Sequence, residues 1–493
     1  MTMNREKILS LHSKYNPQGE ANRYVNSLSL NESTRFFVLI EPGLGYMLAP
    51  LKKKFPGAKM IVLHAGKYPC VTENANALTP PETPDAEWRA AEGSSVQDFL
   101  EAEIGDSQAG EIQLVEWRPA LSVFGEDYLA LVRETADFIK RSDANARTII
   151  AFGPRWFRNF FKNLELIKEV IYLPPGNSFP LPLPLLVTGA GPGLEDVIPV
   201  IKSELKKNRL FIVAASSSHA TLEAADIRPG MVISTDGSNW AKYHLHGLFR
   251  SKYKFPLAVT LTAALPSQAE LPFLIISDGS LWQTLILNKL NIPFIALPQR
   301  GTVTATALDL AFALSPDKIF IAGMDLANRD IRSHARPYGF DLLMEEKAGR
   351  MNPVYSQSYS RSSALKTGGS YAVYASWFRK QLTIYPRPLY PVGNNNSVFS
   401  SMKTTICSGE FNAKTGLDGN SGKVHANFKS VTMNFDGSPC RTAFAVLESA
   451  LKDPGISPTL GNELSSLLLP NRNETSRSCL IDTIRSLAGF ARF

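Results

Sequence analysis

Cysteine is scarce in this chain: Cys70, Cys407, Cys440 and Cys479 are the four in 493 residues, with no CxxC spacing and no cysteine-histidine cluster. A disulfide framework and a zinc site are thereby excluded as organising devices, and a reducing compartment is expected. Long apolar runs are missing too. No stretch of about 18 apolar residues occurs, and the opening MTMNREKILSLHSKY has no apolar h-region. Membrane insertion is therefore not expected, and a cytoplasmic location is. Blocks of like charge are also absent: 52 basic and 45 acidic residues give +7 without any run of five, and the densest runs, Lys52-Lys53-Lys54 and Lys206-Lys207, fall where helix surfaces are expected. With no basic stripe carrying interleaved aromatics, nucleic acid is not an expected partner, although the excess of positive charge favours an anionic substrate.

What is present is ample material for packed cores, 44% hydrophobic and 10% aromatic residues in a chain too long for one core to organise. RFFVLI, EPGLG, YMLAPLKKKF and KMIVLHA (35–65) read as a βαβ unit, and TIIAFGPRWFRNFFKNLELI (148–167) repeats strand, Gly-Pro turn and helix. Residues 79–95 read as a loop running into a helix. PPGNSFPLPLP (174–184) has five prolines in eleven residues and marks the main boundary. Beyond it come LPLLVTG, RLFIVAAS, GMVISTD, PLAVTLT, FLIISDG, PFIALP and KIFIAG, strands separated by helical stretches, several of them apolar on both faces. The expected fold is α/β, with a doubly wound Rossmann-like central domain over 179–388, a second α/β domain over 1–178 and a small, mainly helical tail with a loose linker over 389–493.

The chemistry is read from strand ends, because ligands of open α/β sheets bind outside the carboxyl ends of the strands. In LLVTGAGPGLEDVIPVI (185–201), Gly189, Gly191 and Gly193 sit between a strand and a helix, where unpaired N–H groups and the helix dipole make a phosphate site. Pro192 removes one donor, and the spacing G-A-G-P-G is not GxGxxG; a glycine turn at a strand end also serves plain geometry. No Walker lysine accompanies the loop, which argues against an ATPase. Glu41-Pro42-Gly43-Leu44-Gly45 has the same grammar, so the chain has either two nucleotide sites or one working site and a structural echo. Its fewer polar strand ends favour the echo. Ser216-Ser217-Ser218, Asp236-Gly237-Ser238, Asp278, Gly301-Thr302-Val303-Thr304 and Asp325 are the polar ends expected to converge on one crevice. Thr302 and Thr304 are able to cap their helix or to bind phosphate. Asp236 and Asp278 equally fit Asx turns before glycine. Asp236 lacks the second carboxylate of a metal-binding DxD, so no metal site is expected. His334, in the loop after Asp325, is the side chain best suited to take a hydroxyl proton near neutral pH, though a loop histidine is also often just exposed.

LVTGAGPGLEDVIPVI, the Asp236 strand end, GTVTATALDLAFAL and GMDLANRDIRSHA stand in the order in which their counterparts occur in the motility-associated Maf flagellin glycosyltransferases, the domain of unknown function 115 family. The central domain resembles that family, and through it bacterial sialyltransferases that use a CMP-activated sugar. Gly301-Thr302-Val303, Gly323-Met324-Asp325-Leu326-Ala327 and His334-Ala335 carry the match best. Gly191-Pro192-Gly193-Leu194 stands where the family has GPSL, Arg228-Pro229-Gly230 where a proline-aspartate pair is common, and Ala214-Ala215-Ser216 where a run carries an aspartate. The resemblance implies transfer of a nonulosonic acid from its CMP form to Ser or Thr hydroxyls of flagellin, with no cofactor beyond the CMP-sugar co-substrate and with oligomerisation left open. It implies nucleotide contacts at Gly189, Gly191, Pro192, Gly193, Leu194, Ser216, Asp236, Gly301 and Thr302, and a base at His334 or Asp325. Archaeal pterin pyrophosphokinases share the domain label and supply the alternative, ATP-dependent reading. A non-catalytic flagellin-binding accessory protein is the third.

Overall fold

A computed structural model of the chain describes residues 11–65, 82–89, 95–104, 111–173, 181, 183–206, 210–250, 255–267, 271–298, 300–327, 333–354, 356, 374–375, 378, 381–382, 385–393, 428–469 and 477–489. The chain divides into two compact units, Met1–Ala151 and Phe152–Phe493.

In the first unit, β1 (Phe36–Ile40), β2 (Lys59–His64), β3 (Ala86–Arg89) and β4 (Ile112–Glu116) form a parallel sheet in the order β3-β2-β1-β4. Every residue of β1 is buried. Val25 of α1 (Pro17–Ser27), Leu51 of α2 (Leu48–Lys54), Leu100 of α3 (Val96–Ile104) and Phe138 of α4 (Leu121–Leu164) join its core. Two expectations change here. AEWR, within the stretch read as a loop, is β3, a strand too short and too charged to show a period of two. TIIAF, read as a strand, is helical, because α4 runs through it. Thr148 Oγ1 bonds back to the Ala144 carbonyl at 2.8 Å, the i−4 pattern of a helix. Amphipathic sequence on both sides carries the helix across a short apolar run that in isolation reads as β.

In the second unit a larger sheet takes β5 (Glu169–Tyr172), β6 (Leu185–Thr188), β7 (Phe211–Ala215), β8 (Met231–Ser234), β9 (Leu257–Thr260), β10 (Phe273–Ser277), β11 (Ile295–Ala296), β12 (Ile319–Ala322), β13 (Leu389–Pro391) and β14 (Lys429–Thr432). The order is β13-β12-β6-β7-β8-β9-β10-β5-β14, with β11 paired to β10. All pairs are parallel except β14 on β5. Because β5 and β6 belong to one sheet, the Pro-rich stretch between them is not the domain boundary; the division comes earlier, at 151/152. Successive side chains point to opposite faces, and the two faces bury different helices. Leu186 joins Phe160 and Phe161 of α4, Ile201 of α5 (Leu194–Lys206), Leu222 of α6 (His219–Ala224), Leu248 of α7 (His246–Arg250) and Ile286 of α8 (Leu281–Lys289). Leu185 and Val187 join Leu308 and Ala311 of α9 (Val303–Leu314) on the other side. The structure is thus the expected doubly wound α/β fold.

Past α10 (Asp341–Glu346), the last helices are α11 (Pro439–Ala450), α12 (Ser457–Leu468) and α13 (Arg477–Gly489). They are not an appendage. Leu447, Leu464 and Ile484 belong to the same core as Phe160, because each helix has an apolar stripe that only that core covers. The loose linker read after residue 394 falls at 394–427, outside the described residues. Chain order places the topological switch point between β6 and β12: the chain runs outward from β6 to β10, then returns to add β12 on the opposite side of β6.

Candidate active site

At the switch point the glycine loop after β6 meets the loop after β12, and the two close on each other. Gly189 N–H donates to the Ala322 carbonyl at 2.8 Å and Gly191 N–H to that of Gly323 at 2.7 Å. Gly193 N–H donates to Asp325 Oδ2 at 2.8 Å. A Cβ on Gly191 would lie 2.1 Å from Asp325 Oδ2, and one on Gly193 2.4 Å from Oδ1. Gly189, Pro192, Gly193 and Leu194 are buried, Leu194 in the hydrophobic core with its N–H on the Gly191 carbonyl at 3.0 Å. The glycines therefore allow two loops to touch, and the amides expected to grip phosphate are spent inside the protein. This corrects the nucleotide contacts expected at 189–194. It also recasts Asp325: its carboxylate closes the N-terminus of α5 as an anion held by a helix end, which makes it a brace rather than a base.

The N-terminus of α8 is closed in the same manner. Glu463, from α12, accepts the N–H groups of Leu281 at 3.1 Å and Trp282 at 3.2 Å. The N-terminus of α9 is different. Gly301 is exposed with φ +71, the left-handed backbone that favours glycine. Thr302 Oγ1 takes the Ala305 N–H at 3.1 Å. That leaves the N–H groups of Val303 and Thr304, which an α-helix cannot satisfy internally, without an acceptor among the described residues. The Arg300 guanidinium is paired with the Asp309 carboxylate at 2.7 Å. Thr302 thus caps its helix.

A Cβ on Gly301 would lie 3.9 Å from the Tyr374 ring. Burial, and then the charge of Asp236, push the Tyr374 phenol above its ordinary range. The Tyr374 ring thus lies near Gly301, and its phenol feels the charge of Asp236, 65 positions earlier in sequence. Asp236 forms an Asx turn, with Ser238 N–H on Oδ1 at 2.8 Å and Ser238 Oγ on Oδ2 at 3.1 Å, and stays exposed. Two asparagines one turn apart on α4 hold the loop after β9, and the first of them also holds the Asp236 loop. Asn159 Nδ2 donates to the Gly237 and Thr262 carbonyls at 3.2 and 3.0 Å, and Asn163 Nδ2 to those of Leu261 and Ala263 at 2.8 and 2.7 Å. Sequence reading passed over both, although an i, i+4 pair of amides on an otherwise aromatic helix face is a visible signal. Tyr374 gave none. Ser216 is buried at the tip of β7; nearby in sequence, the Ser218 hydroxyl bonds that of Thr188 at 2.9 Å.

His334 reaches the switch point through its neighbours. Ala335 N–H donates to the Ala190 carbonyl at 2.8 Å and Arg336 N–H to Glu195 Oε1 at 2.8 Å, tying the loop to the start of α5. The His334 ring stacks on Tyr338 with centroids 4.1 Å apart and planes at 15°, and its Nδ1 lies 2.8 Å from Ser333 Oγ. Tyr338 continues to His244, whose ring stacks on Phe340 at 4.4 Å. The expected residues thus fall into two groups on one edge of the sheet: His334 with the closed glycine loop and Asp325, and Asp236 with Gly301 and Thr302.

Burial lowers the His244 pKa to about 4 from 6.5. A histidine depressed on folding binds its proton in the unfolded chain first, so stability falls as pH drops from 6.5 towards 4. His219, lowered mainly by burial, and His12, likewise, act in the same direction. A His244→Phe variant is expected to flatten the pH dependence of the urea midpoint in that window. An unchanged slope would show that His244 is not responsible.

Comparison with known proteins agrees with this architecture. The sequence profile of the family described as 6-hydroxymethylpterin diphosphokinase MptE-like matches residues 156–330. An uncharacterized protein of Treponema pallidum (strain Nichols) is 28% identical over 294 residues, which is 58% of this chain and 60% of that protein, so the chain spans about 60% of the length of this curated relative. The structure of a MAf glycosyltransferase from Magnetospirillum magneticum AMB-1 superposes with a TM-score of 0.50 at 14% identity, covering 100% of this chain and 79% of that one. At that identity the likeness establishes the shared α/β fold.

Proposed function

We propose that the second unit is a glycosyltransferase that passes a nonulosonic acid, of sialic or pseudaminic type, from its CMP form to Ser or Thr hydroxyls of flagellin. The observation that carries this reading is the N-terminus of α9, where the Val303 and Thr304 amides have no acceptor among the described residues and the Tyr374 ring stands near Gly301. One helix end of that kind suits one phosphate monoester, the group a CMP-sugar releases. The glycosidic carbon–oxygen bond of the donor breaks as the phosphate oxygen takes up the electron pair, and fixed amide dipoles stabilise that charge without reorganising. The donor lies across the tips of β6, β7 and β8, so that the sugar points towards His334. The His334 imidazole takes the proton of the acceptor hydroxyl as its oxygen bonds to the sugar carbon. The fold shared with a MAf glycosyltransferase over the whole chain supports the assignment.

The match to the diphosphokinase family over 156–330 favours a second reading, transfer of a diphosphate from ATP to a pterin alcohol at the same edge. Calorimetric titration separates the two. CMP is expected to bind more tightly than ATP, and Tyr374→Phe together with Thr302→Val is expected to weaken CMP by about tenfold, the cost of one or two polar contacts. Tighter binding of ATP, with pterin-dependent turnover, would replace the first reading by the second.

A further inference from the structure

The backbone that follows His334 is pinned at successive residues. Ala335 is fully buried in the core of the second unit and donates its N–H to the Ala190 carbonyl. The Pro337 carbonyl accepts from Thr221 Oγ1 of α6 at 2.9 Å. Asp341, the first residue of α10, takes the Tyr338 N–H at 2.7 Å and pairs with Arg336 Nη1 at 2.5 Å. With the chain held in this way, the imidazole has only its own two side-chain torsions left to set.

Two neighbours set them. The Tyr338 ring lies nearly parallel to the imidazole, with centroids 4.1 Å apart and planes at 15°. Such a stack fixes the plane of the ring. It does not fix which edge carries which nitrogen, because a half turn about the Cβ–Cγ bond returns the ring to the same plane. Ser333 removes that ambiguity. Its Oγ lies 2.8 Å from Nδ1, and after a half turn it would face the Cδ2–H instead, at the loss of a hydrogen bond. A hydroxyl either donates to Nδ1 or accepts from it, and the two cases put the proton of a neutral imidazole on different nitrogens. If Ser333 donates, the proton sits on Nε2 and the one lone pair is turned to the serine. If Ser333 accepts, the proton sits on Nδ1 and the lone pair is on Nε2, at the far end of the ring. Only the second arrangement suits removal of a proton from a substrate hydroxyl. An imidazolium carries N–H groups on both nitrogens, so the Nδ1–H···Oγ bond then persists while Nε2 gains and loses its proton. With the serine as donor, its hydroxyl would have to turn round in every cycle.

We propose that Ser333 is a positioning residue: it accepts the Nδ1–H of His334 and so keeps the lone pair on Nε2, the nitrogen that takes the proton of the substrate hydroxyl. This deepens the glycosyltransferase reading and rests on His334 being its base. The full-length protein, labelled with 15N in its histidine rings, reports the tautomer directly, because a protonated ring nitrogen and a bare one resonate far apart and couple differently to the two ring protons. His334→Gln identifies the His334 signals by their loss. Above the ordinary titration range of imidazole, the parent is expected to show Nδ1 protonated and Nε2 bare with no substrate present. Ser333→Ala is expected to populate both tautomers and to lower kcat for sugar transfer roughly five- to tenfold, the worth of one hydrogen bond, with KM for the sugar donor unchanged. Ser333→Thr keeps the hydroxyl and is expected to restore the single tautomer and most of the rate. A serine that merely held the loop would change the melting temperature and leave the tautomer of the folded protein as in the parent. The role of Ser333 is overturned by a proton on Nε2 in the parent, or by a Ser333→Ala variant that keeps the parent's tautomer. Both outcomes are read without a transfer assay, so they stand apart from failure of the base reading itself, which full transfer by His334→Ala would show.

Discussion

A His334→Ala variant is expected to lose roughly 10²- to 10⁴-fold in kcat for sugar transfer, the usual contribution of a positioned general base, with CMP affinity left close to that of the parent. The two effects separate because His334 and the α9 helix end belong to different groups on the sheet edge. His334 is tied to the start of α5 through Ala335 and Arg336, whereas the proposed phosphate site draws on Gly301, Thr302 and Tyr374. A purely structural histidine would behave differently. Its loss would loosen the stack on Tyr338 and lower the melting temperature, with transfer falling only in proportion to the folded fraction. A Tyr338→Phe control, which keeps the stack but removes the hydroxyl facing His244, is expected to retain most transfer activity. Single-turnover transfer of labelled sugar to purified flagellin decides the matter: full activity in His334→Ala removes the histidine from the mechanism. If Asp325→Asn then proved inactive while remaining folded, the base would be the aspartate after all.

Gly191→Ala is expected to destabilise the second unit by about 1–3 kcal/mol, the cost of forcing atoms into a filled site. The new Cβ would sit 2.1 Å from Asp325 Oδ2 and 2.7 Å from the Gly323 carbonyl oxygen. The carboxylate can move, but only by giving up the Gly193 N–H at the start of α5. The carbonyl cannot, because Gly323 is itself fixed at φ +65 and already accepts the Gly191 N–H. Asp325→Ala is expected to cost a similar amount through loss of the charged cap. The double variant should cost less than the sum of the two, since removing the carboxylate makes room for the methyl group. Urea unfolding followed in the second unit measures all three. Were the glycine loop the phosphate site, Gly191→Ala would instead abolish CMP binding with little change in stability.

Much of the fold could be read along the chain. The seven apolar runs from LPLLVTG to KIFIAG became β6 to β12 because each is short and apolar, and all but the two-residue β11 are buried, as central parallel strands are. β3 and β14 escaped notice for the opposite reason: AEWR and KSVT are polar edge strands whose pairing comes from the neighbouring strand rather than from their own pattern. TIIAF misled because a five-residue apolar run is ambiguous until its flanks are counted. The Pro-rich stretch was a true break in local structure, but it breaks a connection inside one sheet.

For the site, the sequence alone determined which residue types stand at strand ends, and hence that the carboxyl edge of the second sheet is polar, glycine-led and rich in helix starts. Only the tertiary structure decided which of those helix starts faces solvent. The partner that closes Gly193 is a carboxylate 132 residues away, and the one that closes α8 comes from a helix 182 residues away. An amide's readiness to bind an external anion depends on whether another part of the chain has already supplied an acceptor. Local sequence carries no record of that, because the acceptor arrives only when distant strands pair and distant helices pack.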